Sequence, residues 1–440
     1  MQRNALHPVK SWAVITTAVI FSFFGILLAI SAPSFLRFPS HLRLFPGQEY
    51  SLHTGLLLTV AEAGLPKTSP SRSILAKNGR QVTLQGTEIG AYHLALKIFG
   101  LIPIKTALIN VVPEIAVYPG GQAVGVLLSA QGLMVTDTVA LLAADGTTRS
   151  PAAEAGIMAG DIIIKLAGME PGHFTSMEEI IATYGRQQRP VPIEVRRGAA
   201  SHEFYVTPLL AKDPNGPGYR YMLGLYLRDP VAGVGTLTFW EPESRRFGAL
   251  GHMIANDDRQ PLVITNGVIV PAVIQGIQPA VKGHPGEKLG LFADGSPELG
   301  KIDKNTEYGI FGRLEHLPAE TEYSRLIPVA LAHEVVTGQA EILTVIKDEQ
   351  VERFTIEILE VNRHKDSKGL VVKVTDPVLL EKTKGIVQGM SGSPIIQGGK
   401  LVGALTHVFI HSPEKGFGVL AEWMIYEAGI AEAVSLAEAA

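Results

Sequence analysis

The 440-residue chain contains no cysteine. Thiol catalysis, disulfides and cysteine-based zinc sites are therefore excluded. Aromatic residues are scarce, at 7%. Neither sign of charge dominates: 38 basic residues face 42 acidic ones, and no basic block stands out. A nucleic-acid partner is thus not expected. Beyond about residue 220, convincing helical periodicity is also lacking, except in the tail from about Ala421 to Ala440. What is abundant is glycine (46), proline (28) and apolar residues (46%). That mixture predicts short strands joined by many turns around packed cores, and the length predicts two or three domains.

There is a single long apolar run, from Trp12 to about Ala32, preceded by Arg3 and Lys10. About twenty such residues span a bilayer as a helix, whereas the apolar part of a signal peptide is about 7–15 residues long. Residues 1–32 are therefore expected to be an uncleaved membrane anchor, with a cytoplasmic N-terminus and an exported body. Residues 33–117 read as a linker followed by a small β-rich segment. Pro33, Pro39, Pro46, Pro66 and Pro70 punctuate the stretch to about residue 80, and short strands follow to about 113.

From 118 to 210 the pattern is α+β. Gly132-Leu133-Met134-Val135 puts a glycine before an apolar strand. Ser150 to Gly156 reads as a short helix closed by glycine. Gly160-Asp161 turns into the apolar strand Ile162 to Leu166. A second helix starts near Thr175, which has capping-box spacing to Glu178. This order resembles a PDZ domain. The resemblance implies that Gly132, Leu133, Met134 and Val135 line a groove that captures a peptide end by strand addition.

Residues 211–440 read as all-β, a sandwich or barrel. Asn266-Gly267, between apolar runs, predicts a hairpin turn. The sharpest motif is Gly389-Met390-Ser391-Gly392-Ser393-Pro394. A nucleophilic serine needs an exposed hydroxyl on a tight turn and backbone N–H groups aimed at a developing oxyanion. Glycines on both sides permit that backbone, with the N–H groups of Gly389 and Ser391 as candidate donors. The motif is similar to the serine region of chymotrypsin-like peptidases. The general base should be a histidine, whose pKa lies near working pH. His252, after the apolar strand Phe247 to Leu250 and among small and apolar neighbours, is the leading candidate. A carboxylate should orient it. Asp376 at a strand end is one choice, although an Asp before a proline also caps turns. Asp257, Asp258, Asp294 and Asp303 are others. Metal chemistry is not expected. His333-Glu334 lacks the second histidine of a zinc-protease helix, Thr337 standing in its place, and His407 and His411 have no third ligand nearby.

Several stretches carry a sharper resemblance. They include Gly233 to Phe239, Phe247 to His252, Gly286-Glu287-Lys288-Leu289, Gly309 to Gly312, Ala340 to Ile346, Thr375-Asp376-Pro377 and Gly385 to Pro394. They are similar to the SpoIVB peptidase family of endospore-forming bacteria. The resemblance implies a mainly β protein with an N-terminal transmembrane helix, a PDZ domain and a C-terminal chymotrypsin-like β-barrel peptidase domain. It implies the triad Ser391, His252 and Asp376, and no cofactor. It further implies sporulation signalling in the intermembrane space of the forespore. There the enzyme would cleave a membrane-bound regulator and so activate processing of a sigma factor. Self-cleavage in trans is also implied, expected between about Leu65 and Lys77. The alternatives are a general quality-control PDZ protease and a non-enzymatic membrane-tethered PDZ scaffold.

Overall fold

A computed structural model of the chain describes residues 15–19, 22, 35–36, 38–54, 58–62, 74–78, 81–129, 132–169, 174–198, 200–214, 216–228, 232–255, 261–262, 266–292, 297–321, 323–363 and 367–431. The expected anchor, Trp12 to Ala32, lies for the most part outside these residues. No helix among the described residues is long and apolar enough to cross a membrane. The chain divides into two compact units, one of residues 1–115 with 431–440, the other of residues 116–430.

The first unit corrects the expectation of a linker. A four-stranded sheet runs in the order His41–Leu44, Ile102–Val111, Gly90–Ile98, Leu58–Glu62. A three-stranded sheet has the order Glu49–His53, Gln81–Gln85, Leu75–Asn78. Leu42, Leu44, Leu52, Leu58 and Val60, all within the expected linker, are buried in one core with Leu84, Leu94 and Ile109. Alternation along these short strands sends every second side chain inward. Pro46 marks a turn rather than a spacer: Gly47 has φ +77° and the Gln48 N–H donates to the Phe45 carbonyl. Most of the expected self-cleavage region lies outside the described residues, and its end, Leu75 to Lys77, is in a strand.

In the second unit, the α+β part is a five-stranded antiparallel sheet. Its order is Ala200–Val206, Val191–Arg197, Ile162–Leu166, Leu133–Thr138, Leu225–Arg228. Helices Pro151–Ala155 and Phe174–Arg186 accompany it. Leu133, Val135, Ile163, Ile193 and Met177 share its core. Gly156, at φ +98°, closes the short helix as expected. The buried Asp161 pairs with Arg197 through two hydrogen bonds of 2.7 and 2.8 Å.

Two further observations alter the reading of this part. Leu133–Thr138 is an interior strand, bonded on one side to Ile162–Leu166 and on the other to Leu225–Arg228. Both of its edges are used, so Gly132, Leu133, Met134 and Val135 have no free edge for an added peptide strand. Gly132 serves a close approach instead, since a Cβ there would lie 2.1 Å from the Ile163 carbonyl oxygen. The α+β part also begins later than residue 118. Ala116–Pro119 and Ala123–Ser129 belong to the first of two β-barrels, where Ala123–Ser129 pairs antiparallel with Ala232–Trp240. The α+β part is thus an insertion between two neighbouring barrel strands.

The first barrel joins Arg246–Ala249, Gly309–Leu314, Gly300–Thr306, Asn266–Pro271, Ala123–Ser129 and Ala232–Trp240 in that order. It closes where Ala232–Trp240 pairs back onto Arg246–Ala249. Val126, Leu237, Phe247, Ile269 and Ile310 fill it. The second is a closed barrel of Gly338–Val345, Val351–Val361, Leu370–Val374, Ser412–Leu420, Lys400–Phe409 and Pro394–Gln397. Its interior holds Ile342, Ile356, Leu370, Val372, Ile395 and Leu405.

Candidate active site

Ser391 stands at the corner of a turn that enters the second barrel. The Ser393 N–H donates to the Met390 carbonyl at 2.9 Å, closing a four-residue turn with Ser391 and Gly392 at its centre. Gly392 has φ +93°, as the third position of such a turn requires of glycine. A Cβ there would also sit 2.1 Å from the Thr236 carbonyl oxygen. Met390 is fully buried and anchors the turn, leaving Ser391 half-exposed. The turn is held across the barrel junction, because the Thr236 N–H donates to the Ser391 carbonyl at 2.9 Å and Thr236 Oγ1 donates to the Gly389 carbonyl at 2.8 Å.

The N–H groups of Met390, Gly392 and Ser393 all have carbonyl acceptors. Those of Gly389 and Ser391 have none among the described residues. Unpaired N–H groups are costly in a buried backbone. Two of them, flanking a serine hydroxyl, form a ready anion site.

His252 comes from the first barrel. The strand Arg246–Ala249 ends in Leu250 and Gly251, at φ +67° and +71°. Two consecutive left-handed residues swing the chain out of the strand and carry His252 to the barrel junction. Its Nδ1 lies 2.8 Å from the Met253 carbonyl oxygen. A carbonyl can only accept, so Nδ1 carries the proton and Nε2 is left with the basic lone pair. Burial pushes the imidazole pKa below its ordinary value, partly offset by that hydrogen bond.

Ser391 and His252 line one cleft of about 450 Å³, with walls that include Val126, Leu250, Ile254, Ile386 and Val387. They do not hydrogen-bond in this conformation. Ser391 Oγ donates to the Thr406 carbonyl at 2.7 Å.

Asp376, the expected orienting acid, is placed elsewhere. It is the N-cap of helix Pro377–Thr383. One carboxylate oxygen accepts from the Val378 and Leu379 N–H groups at 2.9 and 3.1 Å, the other from the Thr355 N–H at 3.3 Å. This is what an Asp followed by a proline at the first helical position does, and none of these contacts reaches His252. In this structure the Met253 carbonyl sets the tautomer. The ring packed against His252 belongs to His407, with centroids 4.7 Å apart. Burial, then the neighbouring His252 and Lys368, push the His407 pKa down to about 4. His407 had no assigned role in the sequence reading, where its spacing to His411 suggested at most a metal pair. Among the described residues no cluster of three or more ligating side chains exists. Thr236 and Lys288, also unassigned, lie within stretches that carried the family resemblance.

Two β-barrels that meet at a serine and a histidine define a class of protein, the serine peptidases. The family model described as SpoIVB peptidase S55 matches residues 219–425, and that part of the chain is similar to the SpoIVB peptidases. No curated protein sequence matches the chain. Among solved structures, Rv3671c from M. tuberculosis H37Rv, in an inactive mutant form, is similar over 45% of this chain and 82% of that one. The identity is 15% and the TM-score 0.23, too low to bear on the site.

Proposed function

We propose that the chain is an endopeptidase in which Ser391 attacks the peptide carbonyl and His252 is the general base. The observation that carries this reading is the pair of unpartnered N–H groups, of Gly389 and Ser391, beside a serine that shares its cleft with His252. Ser391 Oγ would leave the Thr406 carbonyl and give its proton to His252 Nε2 as the Oγ–carbon bond forms. Negative charge would develop on the carbonyl oxygen, within reach of the two N–H groups. His252 would return the proton to the leaving amine as the carbon–nitrogen bond breaks. Water, deprotonated by the same imidazole, would then release the acyl group. The apolar walls of the cleft favour an uncharged side chain in the substrate.

The α+β insertion is read as a PDZ-type binding module. Its edge strands are Ala200–Val206 and Leu225–Arg228, so an added peptide strand would pair at one of these rather than at Gly132 to Val135. Attachment to a membrane through residues 1–32, export, self-cleavage and a role in sporulation signalling rest on the sequence pattern and the family resemblance. They belong to this proposal.

A fluorophosphonate probe, which reacts with activated serines, tests the reading. The expected outcome is labelling of the purified protein at Ser391, abolished by Ser391→Ala and reduced by roughly 10⁴-fold or more by His252→Ala. Undiminished labelling of Ser391→Ala, with the adduct mapped to another serine, would reject it.

A further inference from the structure

Lys288 is only 4% exposed. Its amine donates to Thr344 Oγ1 at 2.7 Å, in the second-barrel strand Gly338–Val345, and to Thr236 Oγ1 at 3.4 Å, in the first-barrel strand Ala232–Trp240. No carboxylate pairs with it among the described residues, and burial alone pulls its pKa down to about 7. Burying an unpaired amine is expensive, and a methionine would fill the same space without that cost. The position of the lysine relative to the Ser391 turn supplies a reason for it.

Three contacts join Lys288 to that turn. Its backbone N–H donates to the Gln388 carbonyl at 2.9 Å. In a trans peptide the C=O and N–H point in opposite directions. Holding the Gln388 carbonyl therefore aims the Gly389 N–H, the first of the two free donors, away from Lys288. The aliphatic stem packs flat on Gly389, where an added Cβ would meet the Lys288 Cβ, Cγ and Cδ at 3.0–3.1 Å. Finally, the amine donates to Thr236 Oγ1, which itself donates to the Gly389 carbonyl at 2.8 Å. The peptides on both sides of Gly389 are thus held by Lys288, one directly and one through Thr236.

We infer that Lys288 is a positioning residue of the oxyanion site: its buried amine, acting through Thr236, orients the Gly389 peptide so that the N–H groups beside Ser391 are aimed at substrate before it arrives. This rests on the assignment of Ser391 as nucleophile. Lys288 touches neither substrate nor the reacting atoms. It should act on the rate of the bond-forming step and not on ground-state binding, because the oxyanion exists only at that step.

The test follows the labelling rate of the full chain against fluorophosphonate concentration, which separates a maximal rate from a half-saturating concentration. Lys288→Met should lower the maximal rate by about tenfold or more, as loss of an oxyanion donor does. The half-saturating concentration should stay within about twofold, and the melting temperature should hold or rise. Thr236→Val should reproduce the loss, Thr236→Ser should restore the rate, and the Lys288→Met/Thr236→Val double variant should be no slower than the worse single one. If Lys288→Met does not fold, the Thr236 pair decides alone: equal rates for valine and serine overturn the proposal. A Lys288→Met protein that labels at the unmodified maximal rate, or fails only in half-saturation, also overturns it. Labelling that survives Ser391→Ala would instead reject the underlying assignment of the nucleophile, so the two failures are distinguishable.

Discussion

His252 carries a pH dependence whose sign follows from its surroundings. As the proposed base it would work neutral, and burial holds its pKa below the ordinary 6.5. The rising limb of activity against pH should therefore have its midpoint below 6.5. Labelling rate measured from pH 4 to 8 checks this, and a midpoint above 7 would contradict it. The same depression has a consequence for folding. Depressed histidines, His252 and His407 here, cost nothing above about 6.5, where folded and unfolded chains are both neutral. As pH falls from 6.5 toward the 4 of His407, the unfolded chain binds protons that the folded one does not, and stability is lost. His407 is itself solvent-exposed, so solvent screens part of its share. The individual residues were legible in the sequence only where a motif isolates them. Ser391 announces itself between glycines, whereas Lys288 looks like any lysine on a strand until its burial is seen.

At the scale of elements, Asp376 shows how one residue type serves two chemistries. Its carboxylate satisfies two backbone N–H groups at the start of helix Pro377–Thr383 and a third, that of Thr355, from the strand Val351–Val361. Asp376→Ala should then cost about 1 kcal/mol of stability, while Asp376→Ser, another good cap, should change it by only a few tenths. Ser391 labelling should persist in the serine variant. Thermal melts together with the labelling assay separate these effects, and loss of labelling with unchanged melting would assign the carboxylate to catalysis after all. Asn266-Gly267 teaches a related lesson. The pair is a strong turn signal, yet it opens the strand Asn266–Pro271, with Gly267 opposite Leu128 and Ile302. Turn preference is worth less than the pairing of a strand on both sides inside a closed barrel. The strands themselves, and the glycine that closes helix Pro151–Ala155, were readable because alternation and left-handed glycine act locally.

At the scale of the whole molecule, the α+β insertion leaves the first barrel after Ala123–Ser129 and returns at Ala232–Trp240. Leu127 faces Ala232 across those two strands. A short hairpin turn replacing residues 130–231 should therefore close the barrel without it. The excised protein is expected to fold and still be labelled at Ser391, as circular dichroism and the probe would show. Loss of folding would mean the insertion is part of the barrel's structure. The return strand also carries Thr236, whose N–H holds the Ser391 carbonyl, so the strand that leaves the insertion is hydrogen-bonded to the Ser391 turn.

By itself the sequence determined what depends on neighbours along the chain: a mainly β protein, a serine poised between glycines, a histidine at a strand end, and exclusion of thiol chemistry. Tertiary structure alone decided which distant groups meet. It placed Ala123–Ser129 in the first barrel, gave Asp376 to a helix cap, put a carbonyl on His252 and buried an amine behind Gly389. The reason is physical: local signals report backbone preference and burial period, whereas contacts between barrels depend on how strands far apart in the chain register and close.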